Sequence, residues 1–138
     1  MPCSLPLRLL TGTAASFIAA SVLVGCSTKS SSERLAEDLA RVVAESAAKG
    51  MYPQRVTDEQ EITGVTADGT TITFRNRFVR LSAADIDLNS ITGFRANLRS
   101  QVCSTSEFVK AGATQKYTYY DRDGVYLTML SFSSADCA

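Results

Sequence analysis

The residues with the most definite chemistry in this 138-residue chain are its four cysteines. Cys26 closes the run Leu23-Val24-Gly25-Cys26, which matches a lipobox, an aliphatic and small-residue pattern ending in a cysteine whose thiol accepts a diacylglycerol. The peptidase that cuts before this cysteine requires small side chains at the scissile bond. The pattern predicts that Cys26 becomes the acylated first residue of the mature chain and attaches it to a lipid bilayer.

The 25 residues before Cys26 have the three parts of a secretory signal. A short stretch ending at Arg8 carries positive charge, residues 9–24 form an apolar run, and the cleavage site follows. An ordinary cleavage site or a weak membrane span are the alternatives, but the run is marginal in length for a span. The sequence predicts a signal peptide at 1–25, a lipidated cysteine with a polar tether at 26–32, and one domain at 33–138.

Two cysteines, Cys103 and Cys137, remain in the domain once the signal has been removed and Cys26 acylated. In an oxidising periplasm two remaining cysteines usually pair, so we expect a disulfide between them. A metal or redox pair is the alternative. It is disfavoured because the chain has no histidine and no C-x-x-C motif.

The other polar motifs have simpler explanations than catalysis. Asp121, Asp123 and Gly124 suggest a calcium loop, but the following residues supply no further oxygen ligands, and turn chemistry accounts for all three. A Ser-His-Asp triad is impossible without histidine. Asp85 and Asp87 would need a cleft for acid–base work. We therefore expect neither an enzyme, nor a metal site, nor a cofactor.

Charge also excludes one class of partner. The chain has 14 basic and 14 acidic residues, and loss of Arg8 with the signal leaves a mature net charge of 13 − 14 = −1. Such a domain has no electrostatic footprint for nucleic acid, and membrane attachment must come from acyl chains, palmitate among them. Since Ser27, not aspartate, follows Cys26, the usual sorting rule predicts the outer membrane, with the domain facing the periplasm.

The predicted elements begin with a helix at 33–48, whose apolar residues recur at helical spacing. Ser30 and Glu33 have the spacing of a capping box, and Gly50 is a plausible stop. A hairpin at 61–67 and 70–78 follows, with its turn at Asp68-Gly69. The predicted pairs are Val65 with Ile72 and Thr63 with Phe74, and the opposite face holds Thr71, Thr73, Arg75 and Arg77.

Helical pieces at 82–111 and a second hairpin complete the prediction. A stripe of Phe94, Leu98 and Val102 leads to Cys103, and Ser104 with Glu107 suggests a second capping box. The second hairpin joins 117–120 to 125–132 around a D-x-D-G turn. The predicted order is α-β-β-α-α-β-β, an α+β domain with a four-stranded antiparallel sheet of two hairpins packed with helices.

The second hairpin is apolar on both predicted faces. A sheet that is covered on one side should alternate apolar and polar residues, so either helices cover both faces or one face receives a partner. Tyrosine suits a partner-binding position because it combines a large apolar ring with a polar tip. Tyr119, Tyr120 and Tyr126 are the predicted partner-binding residues. One predicted face holds Tyr117, Tyr119, Tyr126, Leu130 and Phe132, and the other holds Tyr120, Leu127 and Met129.

The whole arrangement resembles a known family. The segments "LRSQVCS", "AGATQKYTYYDRDG" and "SADC", together with the lipobox cysteine and the preceding helix and hairpin, are similar to the small α/β-type pilotin lipoproteins of type II secretion systems over residues 30–137. The resemblance implies a non-enzymatic module that binds a C-terminal segment of an outer-membrane secretin and delivers the subunit on its own lipid. Only Cys26, Cys103 and Cys137 carry over by motif. The alternative is a structural or protective envelope lipoprotein without a secretin client.

We predict that Cys26→Ser abolishes lipid labelling of the protein, because the substitution removes the only thiol within the lipobox. Metabolic labelling with a palmitate analogue measures this directly, and unprocessed precursor or a soluble form should accumulate. Cys3→Ser is the matched control and should be labelled normally. Labelling that persists in Cys26→Ser would contradict the assignment.

Overall fold

A computed structural model describes residues 29–87 and 91–138, so the predicted signal peptide and Cys26 lie outside the described residues. None of the described helices is long and apolar enough to cross a membrane. Short 3-10 turns occur at Ala83–Asp85 and Ser134–Cys137. The helices are α1 (Ser31–Ala48), α2 (Ile91–Thr105) and α3 (Glu107–Lys110), and the strands are β1 (Gln54–Arg55), β2 (Gln60–Asp68), β3 (Thr71–Phe78), β4 (Thr114–Tyr120) and β5 (Tyr126–Phe132).

Helix α1 begins and ends where its sequence signals indicate. The Ser30 side chain accepts a hydrogen bond from the Glu33 N–H, and the Glu33 carboxylate accepts one from the Ser30 N–H, which completes the predicted capping box. At the other end Gly50 has a φ of 61°, a conformation that glycine adopts without steric cost. The apolar stripe buries Leu39 completely against Ile72 and Ala113 of the sheet region.

The sheet differs from the prediction in its topology. It has five strands, in the order β1-β2-β3-β4-β5, because residues 54–55 pair with β2 as a short edge strand. The two hairpins are antiparallel, but β3 and β4 pair in parallel, which makes the sheet mixed. The predicted four-stranded antiparallel sheet is therefore wrong in strand number and in this central pairing, while the α+β class is confirmed.

The first hairpin turns one residue later than predicted. Asp68 pairs with Thr71, so the two-residue loop is Gly69-Thr70, and Gly69 takes a φ of 52°. Val65 consequently lies opposite Phe74, and Ala67 opposite Ile72. A bulge at Thr63, where the register shifts between Ile62 and Gly64, leaves Thr63 unpaired. The predicted pairs Val65 with Ile72 and Thr63 with Phe74 are wrong.

A second bulge changes the faces of β5. Tyr119 pairs with Thr128 and Tyr120 with Tyr126, which leaves Leu127 as the extra residue. Since one extra residue reverses the alternation of side chains, Leu127 packs into the core, whereas Tyr126 is exposed. The predicted positions of these two side chains are exchanged in the structure.

The three described helices contact one face of the sheet, which we call the helix face. There, α1 covers the β2–β3 turn region, and α2 and α3 contribute Val102 and Val109 to a second cluster with Leu130 and Phe132. Helix α3 is capped by Ser106, not by the predicted Ser104, because α2 continues to Thr105. No described helix packs on the opposite side, the outer face, which holds Thr71, Thr73, Arg75, Arg77, Lys116, Thr118, Tyr120, Tyr126 and Met129.

The C-terminal 3-10 turn is held against α2. The structure brings Cys103, near the end of α2, and Cys137 within bonding distance, with Cα atoms 5.3 Å apart, as a disulfide requires. The Arg99 guanidinium also donates a hydrogen bond to the backbone carbonyl of Asp136. Two contacts therefore attach the end of the chain to the helix that covers β4 and β5.

We predict that the purified protein has no free thiol at Cys103 or Cys137, and that reduction lowers its free energy of unfolding by about 3–4 kcal/mol. That magnitude follows from releasing a loop with a sequence separation of 34 residues in the unfolded chain. Thiol titration and denaturant unfolding with and without reductant measure both effects. A Cys103→Ala, Cys137→Ala variant should be insensitive to reductant, and two titratable thiols in the native protein would show that the bond does not form.

Candidate functional site: a groove on the helix face and an aromatic outer face

A groove of about 700 Å³ lies on the helix face where α1 does not reach. Its floor is formed by β2, β3 and β4, one wall by α2 and α3, and the opposite rim by the segment after β1. Among its apolar residues Phe94 is 38% exposed and Val56 is 52% exposed, although side chains of both types are usually buried in a core. The other apolar lining residues are Ile62, Phe74, Leu98, Val102, Phe108, Tyr117 and Tyr119.

The floor of the groove also contains polar side chains that bond to one another. The Gln60 amide donates to the Asn76 side-chain oxygen at 3.0 Å, and Asn76, itself 2% exposed, donates to the Phe74 carbonyl at 3.2 Å. Ser106 donates to Gln115, which in turn donates to the Tyr117 hydroxyl. Buried polar groups of this kind are tolerable because their hydrogen bonds are made inside the protein.

Two tyrosines on β4 lie side by side in this floor. Burial raises the pKa of Tyr117 to about 12. Burial and the neighbouring Tyr117 also raise the pKa of Tyr119. Both phenols therefore remain neutral hydrogen-bonding groups at neutral pH and well above it. Tyr119 is packed between Phe78, at 6.0 Å between ring centroids, and Phe94, at 5.4 Å in an edge-to-face arrangement.

The outer face carries a smaller aromatic and basic cluster. The Arg75 guanidinium lies 4.4 Å from the centroid of the Tyr120 ring, and Tyr120 meets Tyr126 edge to face at 5.8 Å. Arg77 is bound by Glu61, with Nε 3.0 Å from the carboxylate. Tyr126 is 55% exposed, so this cluster has an accessible aromatic edge but only a shallow cavity of about 230 Å³.

The three tyrosines predicted to bind a partner are thus separated by the sheet. Tyr119 belongs to the helix face and is 2% exposed, whereas Tyr120 and Tyr126 belong to the outer face. Sequence reasoning did not identify the groove, although it placed Phe94 and Leu98 on one helical stripe. Such a stripe has the same pattern whether a core or a partner covers it, so only the exposure of Phe94 distinguishes the two.

Within the described residues, the D-x-D-G turn is stabilised by backbone hydrogen bonds to one of its own side chains. The Asp121 carboxylate accepts backbone hydrogen bonds from Val125 at 2.8 Å, Asp123 at 2.9 Å and Ala83 at 3.0 Å. Burial raises the pKa of Asp121, but these donors and the Gly124 N–H outweigh it and hold that pKa below its usual range. Asp121 therefore ties the β4–β5 turn to the segment that follows β3. Within residues 29–87 and 91–138 no group of three metal-ligating side chains converges.

No family model matches the sequence, and no curated protein sequence resembles it significantly. The fold, however, has close structural counterparts. A Pseudomonas aeruginosa protein described as secreted superposes with a TM-score of 0.65 at 19% identity, covering 80% of this chain and 99% of its own.

Two pilotins of type II secretion systems share the fold as well. AspS from Vibrio cholerae gives a TM-score of 0.59 at 11% identity, covering 78% of this chain and 95% of that protein. EpsS from Vibrio vulnificus gives 0.63 at 8% identity, covering 78% and 96%. The chain therefore has a pilotin-like fold, and the resemblance found in the sequence is confirmed at the level of the fold.

We predict that Asp121→Asn lowers the melting temperature by several degrees at pH 7, since the amide replaces a carboxylate oxygen with a donor facing backbone N–H groups. The pKa of Asp121 is depressed in the folded state. The ionised carboxylate therefore stabilises the fold above the unfolded-state pKa of about 3.9, and this stabilisation is lost as the pH falls through the folded-state pKa. The difference in melting temperature between wild type and variant should therefore narrow below pH 4. Asp123→Asn, at an exposed position of the same turn, is the control. A constant difference down to pH 2 would contradict the role.

Proposed function

We propose that this protein is a pilotin: an outer-membrane lipoprotein that binds a C-terminal segment of a secretin subunit in the groove and delivers the subunit to the outer membrane. The observation that carries the proposal is the groove itself, an apolar concavity on a pilotin-like fold with an exposed Phe94 at its wall. The predicted acylation of Cys26 would supply the means of delivery.

The groove suits the apolar face of a helix. Its wall presents Phe94, Leu98 and Val102 at helical spacing, and its floor is a sheet surface, so an incoming helix would pack as α1 packs on its own part of the sheet. A helix recognised in this way uses residues at i, i+3, i+4 and i+7 as anchors. A volume of about 700 Å³ falls within the range of natural ligand sites.

The short tether supports a delivery role. Residues 27–30 lie between the predicted lipid attachment and the first turn of α1, and an extended chain spans at most about 3.5 Å per residue. The groove would therefore be held close to the bilayer into which the client is to be inserted.

We predict that Phe94→Ala lowers the affinity for the secretin C-terminal segment by roughly thirtyfold, as expected for an aromatic anchor worth about 2 kcal/mol. Tyr126→Ala removes an aromatic residue of comparable exposure from the outer face and should leave the affinity unchanged. Melting temperatures of both variants separate loss of binding from loss of folding. If Tyr126→Ala abolishes binding and Phe94→Ala does not, the outer face is the binding surface.

Photocrosslinking in intact cells tests the identity of the client. A photoreactive amino acid at Gln101, an exposed residue of the groove wall, should crosslink to the secretin, whereas the same group at Ala44 on the exposed side of α1 should not. Secretin left in the inner membrane when the gene is deleted should return to the outer membrane on complementation. Normal secretin localisation in the deletion strain would instead favour a structural envelope lipoprotein.

A further inference from the structure

The Tyr119 hydroxyl has no hydrogen-bond partner among the described residues, although the residue is only 2% exposed. No side-chain oxygen or nitrogen that is fully buried in the described chain lacks a partner. The Tyr119 hydroxyl therefore keeps some accessible surface, and Tyr119 is one of the described residues that line the groove. A tyrosine that is otherwise enclosed thus presents an unused hydroxyl at the groove floor.

The neighbouring polar groups are already occupied. Asn76 accepts a hydrogen bond from Gln60, while Gln115 accepts one from Ser106 and donates one to Tyr117, so most of their hydrogen-bonding capacity is used inside the protein. The Tyr117 oxygen accepts from Gln115, which leaves only its proton to donate. What the floor offers to a ligand is therefore mainly the Tyr119 hydroxyl, which can donate and accept, and its proton requires an acceptor on the ligand if it is not to be buried unpaired.

Charge decides which kind of acceptor fits. Glu107 is the one charged side chain among the described residues lining the groove, and it lies at the exposed edge, where Lys110 pairs with it at 2.8 Å. No described cation lines the floor to offset a carboxylate. Bringing an ionised carboxylate into this apolar space would cost far more hydration free energy than a phenolic hydrogen bond returns, whereas the cost for an amide or hydroxyl group is much smaller.

We propose, building on the function proposed above, that Tyr119 is a specificity-determining residue that selects a helix whose apolar face carries one uncharged acceptor side chain, such as asparagine, glutamine, serine or threonine. A wholly apolar helix would cover the Tyr119 hydroxyl and leave it unpaired, which costs free energy. An apolar floor alone would not discriminate between the client and generic apolar segments such as signal sequences. With the Tyr119 hydroxyl in the floor, the groove rejects such segments.

The test uses the full chain as purified from cell envelopes and labelled helical peptides of about fifteen residues. The peptides have an apolar face, and asparagine, aspartate or leucine is placed in turn at each apolar position. The best asparagine peptide should bind about five- to tenfold more tightly than its leucine and aspartate counterparts, as expected for one net hydrogen bond. Fluorescence anisotropy measures the affinities.

Tyr119→Phe removes only the hydroxyl group and should abolish the preference for asparagine over leucine. Its melting temperature should equal that of the wild type, because the hydroxyl makes no internal hydrogen bond. Tyr126→Phe, which removes a hydroxyl from the outer face, should keep the preference.

The outcomes separate this inference from the proposed function. Equal affinity for asparagine and leucine peptides, absence of binding by every peptide, or an unchanged preference in Tyr119→Phe would overturn the inference, even if Gln101 crosslinks to the secretin. A Tyr119-dependent preference for asparagine without any secretin crosslink would uphold the inference and reject the secretin as client. A preference for aspartate would show that the acceptor is charged and would also overturn it.

Discussion

The parallel pairing of β3 with β4 is the constraint on which the rest of the structure depends. Parallel neighbours cannot be joined by a tight turn, so the chain must cross over one face of the sheet between them. Helices α2 and α3 belong to that crossover. Because α1 lies on the same face, the described helices gather on one side. The groove lies on this face between the crossover helices and the segment after β1, beyond the reach of α1.

A polar network stabilises this parallel junction and shapes the site at the same time. Asn76 on β3 accepts from Gln60 on β2 and donates across to the Thr118 carbonyl of β4 at 3.5 Å. A buried amide with satisfied partners fixes the relative positions of three strands, since a shift of register would break its bonds at a cost in desolvation. The same residue lies in the groove floor, so strand register and groove shape are set together.

Much of the fold follows from local sequence signals. The capping box at Ser30 and the two hairpins depend on short-range chemistry that a single sequence displays. The pairing of Cys103 with Cys137 is long-range, but it follows because no other cysteine remains in the domain. The parallel pairing of β3 with β4 does not follow from such signals. Two hairpins show the same alternation of apolar and polar residues whether they pair with each other in parallel or antiparallel. The bulges at Thr63 and Leu127 could not be predicted either. One extra residue in a strand has no signature in composition, yet it moves the side chains that follow to the opposite face of the sheet. The position of Tyr126 and the exposure of Phe94 are consequences of those long-range choices.

The arrangement of α1 has a mechanical consequence. A pull on the N-terminal end of the chain enters the domain through α1, whose Leu39 is packed on Ile72 and Ala113 near the β2–β3 turn. A load carried by the groove enters instead through α2 and the β4 floor, and α2 is fastened to the chain end at Cys137. The two forces therefore meet in the hydrogen bonds between β3 and β4, which share the load along seven paired residues. Because β3 and β4 also form the floor of the groove, strain in these hydrogen bonds would reach the groove directly.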